Sequence, residues 1–279
     1  MSRVCGWRCP LVGQGEIRRH RRPGVASIRC AVRLMAGRVP ASRRGAGPAV
    51  MTGAGPATTV EVFRGGGKRR AAVMISGRGS NMAALIAAAA DPAYPVEIVL
   101  VISNRPGAAG LTLASEAGVP VRVIDHRGFQ GDRAAHEAAI DAALREAAVE
   151  IVCLAGYMRL LTPLLVDAWQ GHMLNIHPSL LPAFPGLDTH ARALAAGAKL
   201  HGCTVHLVTQ AMDEGPILAQ AAVPVLRGDS AGELAARVLA QEHVIYPLAL
   251  RLFASGDFGK MAPGAAALVN PLPAGSPLP

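Results

Sequence analysis

Ala71-Ala-Val-Met-Ile-Ser76 runs directly into Gly77-Arg-Gly79-Ser80-Asn81, and an alanine-rich stretch follows. The aliphatic run predicts a buried β-strand, the glycines predict a tight turn, and the alanines predict a helix. A second apolar run at residues 96–103 predicts the next strand. Strand, turn, helix and strand make a βαβ unit, which predicts a sheet that is parallel at its centre, with right-handed crossovers.

The same alternation continues along the chain to about residue 254. It predicts further strands at residues 121–124, 151–156, 173–177, 203–208 and 217–225, and helices near 108–117, 132–147, 190–196 and 230–254. Apolar side chains in the last helix are spaced to make one buried face, namely Leu234, Val238, Ile245, Leu248 and Leu252. We therefore predict one Rossmann-like α/β domain over residues 70–258, an open, mostly parallel sheet with helices on both faces.

The positive charge of the chain belongs to its N-terminal segment. Residues 1–50 hold eleven arginines and one acid, Glu16, whereas the remaining residues hold 17 basic and 18 acidic side chains. This segment lacks apolar periodicity, so we predict a disordered extension over residues 1–67 and a Pro/Ala-rich tail over 259–279. Translation upstream of a true start at Met35 or Met51, an organellar transit peptide and a nucleic-acid-binding arm are alternative explanations of the extension.

Hydropathy and cysteine usage favour a soluble protein of a reducing compartment. The longest apolar run, residues 96–103, is much shorter than a membrane span. The five cysteines are odd in number and lack the paired spacing of zinc or redox sites, and Cys153 and Cys203 lie in apolar runs. We therefore expect a cytoplasmic protein that binds no metal and no membrane.

The loop at residues 77–81 follows the carboxyl end of the predicted strand at 71–76, and open α/β sheets bind ligands beyond the carboxyl ends of their strands. Its glycines allow the backbone to approach an anion, and the helix N-terminus offers unpaired N–H groups, so a phosphate is a natural ligand. Position 82 is methionine and no Gly-Lys-Ser/Thr follows, which weakens the dinucleotide and nucleoside-triphosphate interpretations. The alternative is a plain strand-to-helix turn with Ser80 as the helix N-cap.

A second connection, at residues 156–163, follows the strand at 151–156. Pro163 fits the first turn of a helix capped by Thr162, so residues 157–161 should form a short link at the same edge of the sheet. Taken alone, this link indicates an apolar connector with one solvated arginine. Only its position beside the next motif makes it a candidate for ligand binding.

The most specific motif is Asn175-Ile-His177-Pro-Ser-Leu-Leu-Pro182, with Asp213-Glu-Gly-Pro216 downstream. Strand alternation places Asn175 and His177 on the same side, and a hairpin loop can bring Asp213 to the imidazole. An amide, an imidazole and a carboxylate are the side chains that an acyl-transfer site needs to bind an oxyanion and to move a proton. The chain has nine histidines, so the combination, and not His177 alone, carries this prediction.

These motifs resemble those of the phosphoribosylglycinamide formyltransferases, the folate-dependent formyltransferases of purine synthesis. The resemblance runs from about residue 71 to 258 and includes Leu154-Ala-Gly-Tyr-Met-Arg159 and Gly202-Cys-Thr-Val-His206. It implies transfer of the formyl group of 10-formyltetrahydrofolate to the glycinamide amine of 5'-phosphoribosylglycinamide, in de novo synthesis of inosine monophosphate (IMP). It implies no metal and is compatible with a homodimer.

The resemblance also assigns roles to individual residues. The catalytic residues would be Asn175, His177 and Asp213. The phosphoribosylglycinamide would be bound by Gly79, Ser80, Asn81 and Glu242. The formyltetrahydrofolate would be bound by Arg133, Met158, Arg159, Leu160, Leu161, Asn175, Thr209, Gln210, Ala211, Met212 and Asp213. Of these, the segment 210–212 departs from the family's pattern.

By the same resemblance, Asn175 and a charged His177 would donate hydrogen bonds to a tetrahedral oxyanion. Asp213 would keep His177 charged and oriented, and would bind a water that relays the proton.

Three alternative functions stay open. Formyltetrahydrofolate deformylase uses water in the same kind of site, but its regulatory domain has no counterpart in residues 1–67. Methionyl-tRNA formyltransferase has a basic Arg-x-Arg-Gly stretch where this chain has residues 183–190, and a C-terminal domain where it has the tail. The arginine-rich segment would also suit a non-enzymatic nucleotide- or RNA-binding protein.

Overall fold

The computed structural model describes residues 67–256 and 267–268. The predictions for residues 1–66, and for the rest of the C-terminal tail, lie outside this part of the chain.

Strands and helices alternate along the described residues as the sequence predicts. The strands are β1 (Arg69–Ile75), β2 (Val96–Ser103), β3 (Val121–Val123), β4 (Ile151–Leu154), β5 (Met173–His177), β6 (Leu200–Leu207), β7 (Ile217–Pro224) and β8 (Ala267–Leu268). The helices are α1 (Ser80–Ala89), α2 (Ala109–Glu116), α3 (Arg133–Glu146), α4 (Pro163–Ala168), α5 (Thr189–Ala195) and α6 (Ala231–Ala254), with a 3-10 turn at His126–Phe129.

These strands form one open sheet in the order β3-β2-β1-β4-β5-β6-β7-β8. Strands β1 to β5 are parallel, and β6 runs antiparallel to both β5 and β7. The predicted open, mostly parallel sheet is confirmed. The short β8 lies inside the stretch predicted as a tail, and it pairs with Ala219 and Gln220 of β7. Two residues are too few to show strand alternation in a sequence.

Helices cover both faces of the sheet, which is also as predicted. Alternate residues of β1 enter two separate cores, with Val73 and Ile75 on one side and Ala72 and Met74 on the other. Helices α1, α2 and α6 contribute to the first core, and α3 and α4 to the second. Because both faces are buried, the central strands are continuously apolar in sequence.

The N-cap that the alternative interpretation of this loop gave to α1, Ser80, is wrong. The N-cap is Gly79, whose φ of 75° is left-handed, and no side chain caps the helix. A Cβ atom at Gly79 would lie 2.9 Å from the Cα of Gly110, at the start of α2. The left-handed backbone and this close approach both favour glycine, so Ser80 becomes the first helical residue.

Two further expectations need correction. Thr162 lies at the N-cap of α4, but its side chain does not cap the helix. Its hydroxyl and its N–H both donate to the buried carboxylate of Glu137. In α6, Leu248 and Leu252 are only partly buried. The buried line passes instead through Tyr246, whose hydroxyl lies 3.1 Å and 3.3 Å from strand carbonyls of β4 and β5.

Candidate active site

The strand order reverses its winding between β1 and β4, and both predicted ligand loops follow the carboxyl ends of these strands. Ser76 joins the two loops. Its N–H donates to the carbonyl of Gly156 at 3.2 Å, and its hydroxyl accepts from the N–H of Met158 at 2.8 Å. A switch point of this kind is where open α/β sheets bind ligands.

The three predicted catalytic side chains come together beside this switch point. Strand β5 ends at His177, and the loop between β6 and β7 returns Asp213 to it. Nδ1 of His177 lies 3.6 Å from Oδ2 of Asp213, and both side chains are at least 90% buried. Asn175 is paired with His206 of the neighbouring strand β6, and Nε2 of His206 lies 3.8 Å from Oδ1 of the same carboxylate.

The chain leaving β5 is fixed by side chains of the neighbouring strands. The Thr204 hydroxyl donates to the carbonyl of Ser179 at 2.7 Å and accepts from the N–H of Leu181 at 3.0 Å. The amide of Gln220 donates to the carbonyl of Leu181 at 2.8 Å. The backbone just after His177 is therefore held in place by side chains of β6 and β7.

Hydrogen bonding also shows which nitrogen of His177 faces Asp213. Nε2 lies 3.2 Å from the carbonyl oxygen of Phe184. Because a carbonyl can only accept, this nitrogen carries the hydrogen in the neutral imidazole. Nδ1 is the nitrogen that faces the carboxylate, so it is the one placed to donate or accept a proton there.

His206 is a site residue that reasoning from individual motifs missed. Its Nδ1 donates to the carbonyl of Leu207 at 2.9 Å, so Nε2 accepts from the Asn175 amide at 3.2 Å. Nε2 also lies 3.8 Å from Asp213, and burial lowers the pKa of His206. A neutral His206 thus orients the Asn175 amide. The motif at residues 202–206 contained this histidine, but only the strand register reveals its partner.

The residues predicted for the phosphoribosyl substrate meet at the start of α1. The N–H of Ala83 donates to Gly79, so the N–H groups of residues 80–82 have no partner within the helix. The Asn81 amide donates to the Glu242 carboxylate of α6 at 2.6 Å, and burial raises the pKa of that carboxyl group. Oδ1 of Asn81 is buried without a partner, which suits a hydroxyl donor from a ligand.

Apart from Arg133, at the start of α3, and Asn175 of β5, the residues predicted for the folate lie on two loops, one after β4 and one that ends at Asp213. Met158 and Leu160, in the loop after β4, are 60% and 64% exposed and offer apolar surface. The Arg133 guanidinium donates to the carbonyl of Leu160. In the loop before Asp213, Met212 is 56% exposed, and the amide of Gln210 donates to Asp167 of α4 at 2.7 Å.

The remaining predicted folate residues lie on the same two loops. Arg159 and Leu161 are partly buried beside Met158 and Leu160. The Thr209 hydroxyl donates to the carbonyl of Ala211 at 3.0 Å within its own loop.

A separate cavity of about 560 Å³ lies between residues 197–199 and 225–229. These segments adjoin the start of β6 and the end of β7, whereas His206 and Asp213 lie at the other ends of the hairpin. The cavity therefore does not belong to the candidate active site.

Residues 67–256 and 267–268 contain no cluster of three or more histidine, cysteine, aspartate or glutamate side chains that could hold a metal ion. None of the helices in that part of the chain combines the length and the apolar character needed to cross a bilayer.

Comparison with known proteins supports the chemistry that this geometry indicates. A family model described as formyl transferase matches residues 69–250. The chain is 44% identical over 184 residues to phosphoribosylglycinamide formyltransferase of Escherichia coli K12, a match covering 66% of this chain and 86% of that protein. It is 51% identical to the trifunctional purine biosynthetic protein adenosine-3 of Bos taurus over 68% of this chain, but spans only 19% of that relative's length.

Solved structures agree with the sequence matches. Phosphoribosylglycinamide formyltransferase from Brucella melitensis is 58% identical with a TM-score of 0.65, covering 67% of this chain and 96% of that structure. Glycinamide ribonucleotide transformylase 1 from Symbiobacterium toebii is 47% identical with a TM-score of 0.67, covering 71% and 93%. The predicted fold class is confirmed by these neighbours.

Proposed function

The chain belongs to the formyl transferase family, and we propose that it transfers a formyl group from 10-formyltetrahydrofolate to the glycinamide amine of 5'-phosphoribosylglycinamide. The reaction is a step of de novo purine synthesis leading to IMP. One observation carries the proposal, namely the meeting of Asn175, His177 and Asp213 at the end of β5. An amide, an imidazole and a buried carboxylate at one point are suited to acyl transfer.

The ribonucleotide would bind along the start of α1. Its phosphate would accept hydrogen bonds from the backbone N–H groups after Gly79, including those of Ser80 and Asn81, where the helix dipole also favours an anion. A ribose hydroxyl would donate to the unpartnered Oδ1 of Asn81 or to Glu242. A buried amide–carboxylate pair that lacks one donor fits a sugar better than it fits an apolar ligand.

The folate would lie between the loop after β4 and the loop before Asp213. Its flat ring would pack on exposed apolar side chains such as Met158 and Leu160. Arg133 offers a charge for the carboxylates of the folate's glutamate, and Arg159 would flank the pterin. Residues 210–212 depart from the family's pattern, so we propose that they contact the folate through their backbone.

In the proposed reaction, the amine of the ribonucleotide attacks the formyl carbon, a C–N bond forms, and the carbonyl electrons move to oxygen. The Asn175 amide, oriented by His206, and the Nδ1–H of a charged His177 donate hydrogen bonds to this oxyanion. Asp213 balances the charge of the imidazolium and binds the water that carries a proton from the attacking nitrogen to N10. The bond from carbon to N10 then breaks, and the carbonyl re-forms.

Water could replace the amine in the same site, which makes a deformylase the alternative. The two activities differ in their dependence on the acceptor. We expect release of tetrahydrofolate, followed by absorbance, to require phosphoribosylglycinamide, and to fall strongly when the phosphate is missing from the acceptor. Release of tetrahydrofolate at the same rate without phosphoribosylglycinamide would favour the hydrolase.

The proposal also covers the domain bounds, the cellular compartment and the oligomeric state. We propose a formyltransferase domain over residues 70–258 that acts on small-molecule substrates, in the cytoplasm, as a monomer or a homodimer. The role of residues 1–67 can be tested by truncation, as described below.

A further inference from the structure

The loop between β5 and α5 contacts both His177 and Asp213 through its backbone. The carbonyl of Phe184 accepts a hydrogen bond from Nε2 of His177 at 3.2 Å. The N–H of Gly186 donates to Oδ2 of Asp213 at 2.8 Å. One acceptor and one donor, two residues apart, therefore set the position of the imidazole relative to the carboxylate.

Phe184 does not hold this position through its own backbone preference. Its φ is 54°, in the left-handed region that is unfavourable for a residue with a large side chain. Strained residues of this kind persist only where their surroundings determine the conformation. Some neighbouring group must therefore hold the loop in place.

Arg192 of α5 makes the contacts that hold it. Nη1 donates to the carbonyl of Pro185 at 2.5 Å and lies 3.2 Å from the carbonyl of Leu187. The guanidinium carbon lies 5.8 Å from the centre of the Phe184 ring, and that ring also packs edge-on against His201 at 5.8 Å. A guanidinium is planar and holds its donors in a fixed geometry, so it loses less conformational freedom than a flexible ammonium group when it binds carbonyls beside an aromatic ring.

We propose that Arg192 is a positioning residue for formyl transfer. By fixing the loop at residues 184–187, it holds His177 and Asp213 with Nδ1 of the imidazole facing the carboxylate. The inference rests on the proposed function of this site. Arg192 acts through Phe184 and Gly186. Among the described residues it forms no ion pair, so its replacement leaves no carboxylate without a partner.

Steady-state kinetics of the full chain test this role. We expect Arg192→Gln to lower kcat by about ten- to a hundredfold, because small displacements of reacting groups are costly, while KM for both substrates changes by less than about threefold. Arg192→Lys should fall between, since it keeps the charge but loses the planar fork. Arg251→Gln is the control. Arg251 lies over the Tyr94 ring at 5.2 Å and pairs with the exposed Asp91 at 3.8 Å, both outside the site, so this variant should leave kcat unchanged.

Nitrogen NMR of the histidine rings gives a readout that a purely structural role would not change. In the wild-type protein, neutral His177 should carry its hydrogen on Nε2, and the His177→Asn variant identifies its signals. In Arg192→Gln, we expect the population with the hydrogen on Nδ1 to rise, while the melting temperature stays close to that of Arg251→Gln.

Three results would overturn the inference, and they are distinct from failure of the proposed function. They are wild-type kcat in Arg192→Gln, an unchanged His177 tautomer in that variant, or a loss of kcat matched by a loss of folded protein. If the wild-type chain transfers no formyl group, the proposed function fails, whereas the His177 tautomer in Arg192→Gln still tests the positioning role.

Discussion

At the scale of single residues, Asp213 lies between two imidazoles that have different tasks. His206 is tied to a backbone carbonyl and to the Asn175 amide, whereas Nδ1 of His177 faces the carboxylate at 3.6 Å. In the proposed reaction, the first histidine orients a donor and the second donates from Nδ1. The other hydrogen bonds of each histidine thus determine which role it has beside Asp213.

Replacing His177 with alanine should remove one donor to the oxyanion. We expect a loss of about 3 kcal/mol of transition-state stabilisation, or roughly a hundredfold or more in kcat, with small changes in KM. Pre-steady-state measurement of formyl transfer checks this value. A variant with near-normal turnover would remove His177 from the chemistry.

Strand alternation predicted that Asn175 and His177 share one side. The position of Asp213 between two predicted strands predicted that it comes from a hairpin loop. It could not predict the contacts of His206 or Phe184. The partner of His206 depends on the register between β5 and β6. The role of Phe184 depends on a backbone carbonyl, which leaves no trace in the type of side chain.

At the scale of elements, the β6–β7 hairpin determines whether Asp213 reaches the site. The N–H of Leu207 donates to the carbonyl of Pro216 at 2.9 Å and closes the loop. A Cβ atom at Gly215 would lie 1.7 Å from the carbonyl oxygen of Leu207. This position has no room for a side chain, so the loop can close only with glycine there.

We therefore expect Gly215→Ala to destabilise the protein by about 1–3 kcal/mol and to lower activity, because the hairpin must open to admit the methyl group. Urea denaturation measures the free energy of unfolding. Gly107→Ala is the control, since a Cβ atom there meets nothing within 4 Å. Equal stability of the two variants would contradict this view of the hairpin.

Sequence patterns located nearly all the elements, because strands buried on both faces and alanine-rich helices have strong local signals. The residues that cap the N-termini of α1 and α4 were harder to predict. Gly79 caps α1 because α2 passes close to it, and the Thr162 hydroxyl binds Glu137 of α3 instead of capping α4. Both outcomes depend on contacts between elements distant in sequence.

At the scale of the whole molecule, buried histidines make the fold sensitive to acid. Burial lowers the pKa of His136, His190 and His206, and lowers that of His201 to about 4. The unfolded chain binds these protons near pH 6.5, before the folded protein does. The stability that comes from keeping these histidines neutral is therefore fully present above pH 6.5 and is lost as the pH falls toward 4.

We expect the melting temperature to fall between pH 7 and pH 5, and to fall less in His201→Phe. His201 is the informative position because burial, with a contribution from the neighbouring His190, lowers its pKa to about 4. Calorimetry at several pH values measures the effect. The same pH dependence in both proteins would show that His201 is not responsible.

The segment before residue 67 can be tested by removal. The family match begins at residue 69, and residues after that point supply the whole proposed site. We therefore expect a chain starting at Gly67 to keep kcat and both KM values within about twofold. Complete loss of activity would instead favour a functional role for the arginine-rich segment.

The fate of a labelled formyl group distinguishes the proposed transferase from its alternatives in one measurement. The chain would be given 10-formyltetrahydrofolate with a radioactive formyl carbon, with and without phosphoribosylglycinamide. We predict that the label moves to the ribonucleotide, that little formate appears, and that transfer nearly stops in His177→Ala. Label released as formate at the same rate with or without the ribonucleotide would contradict formyl transfer.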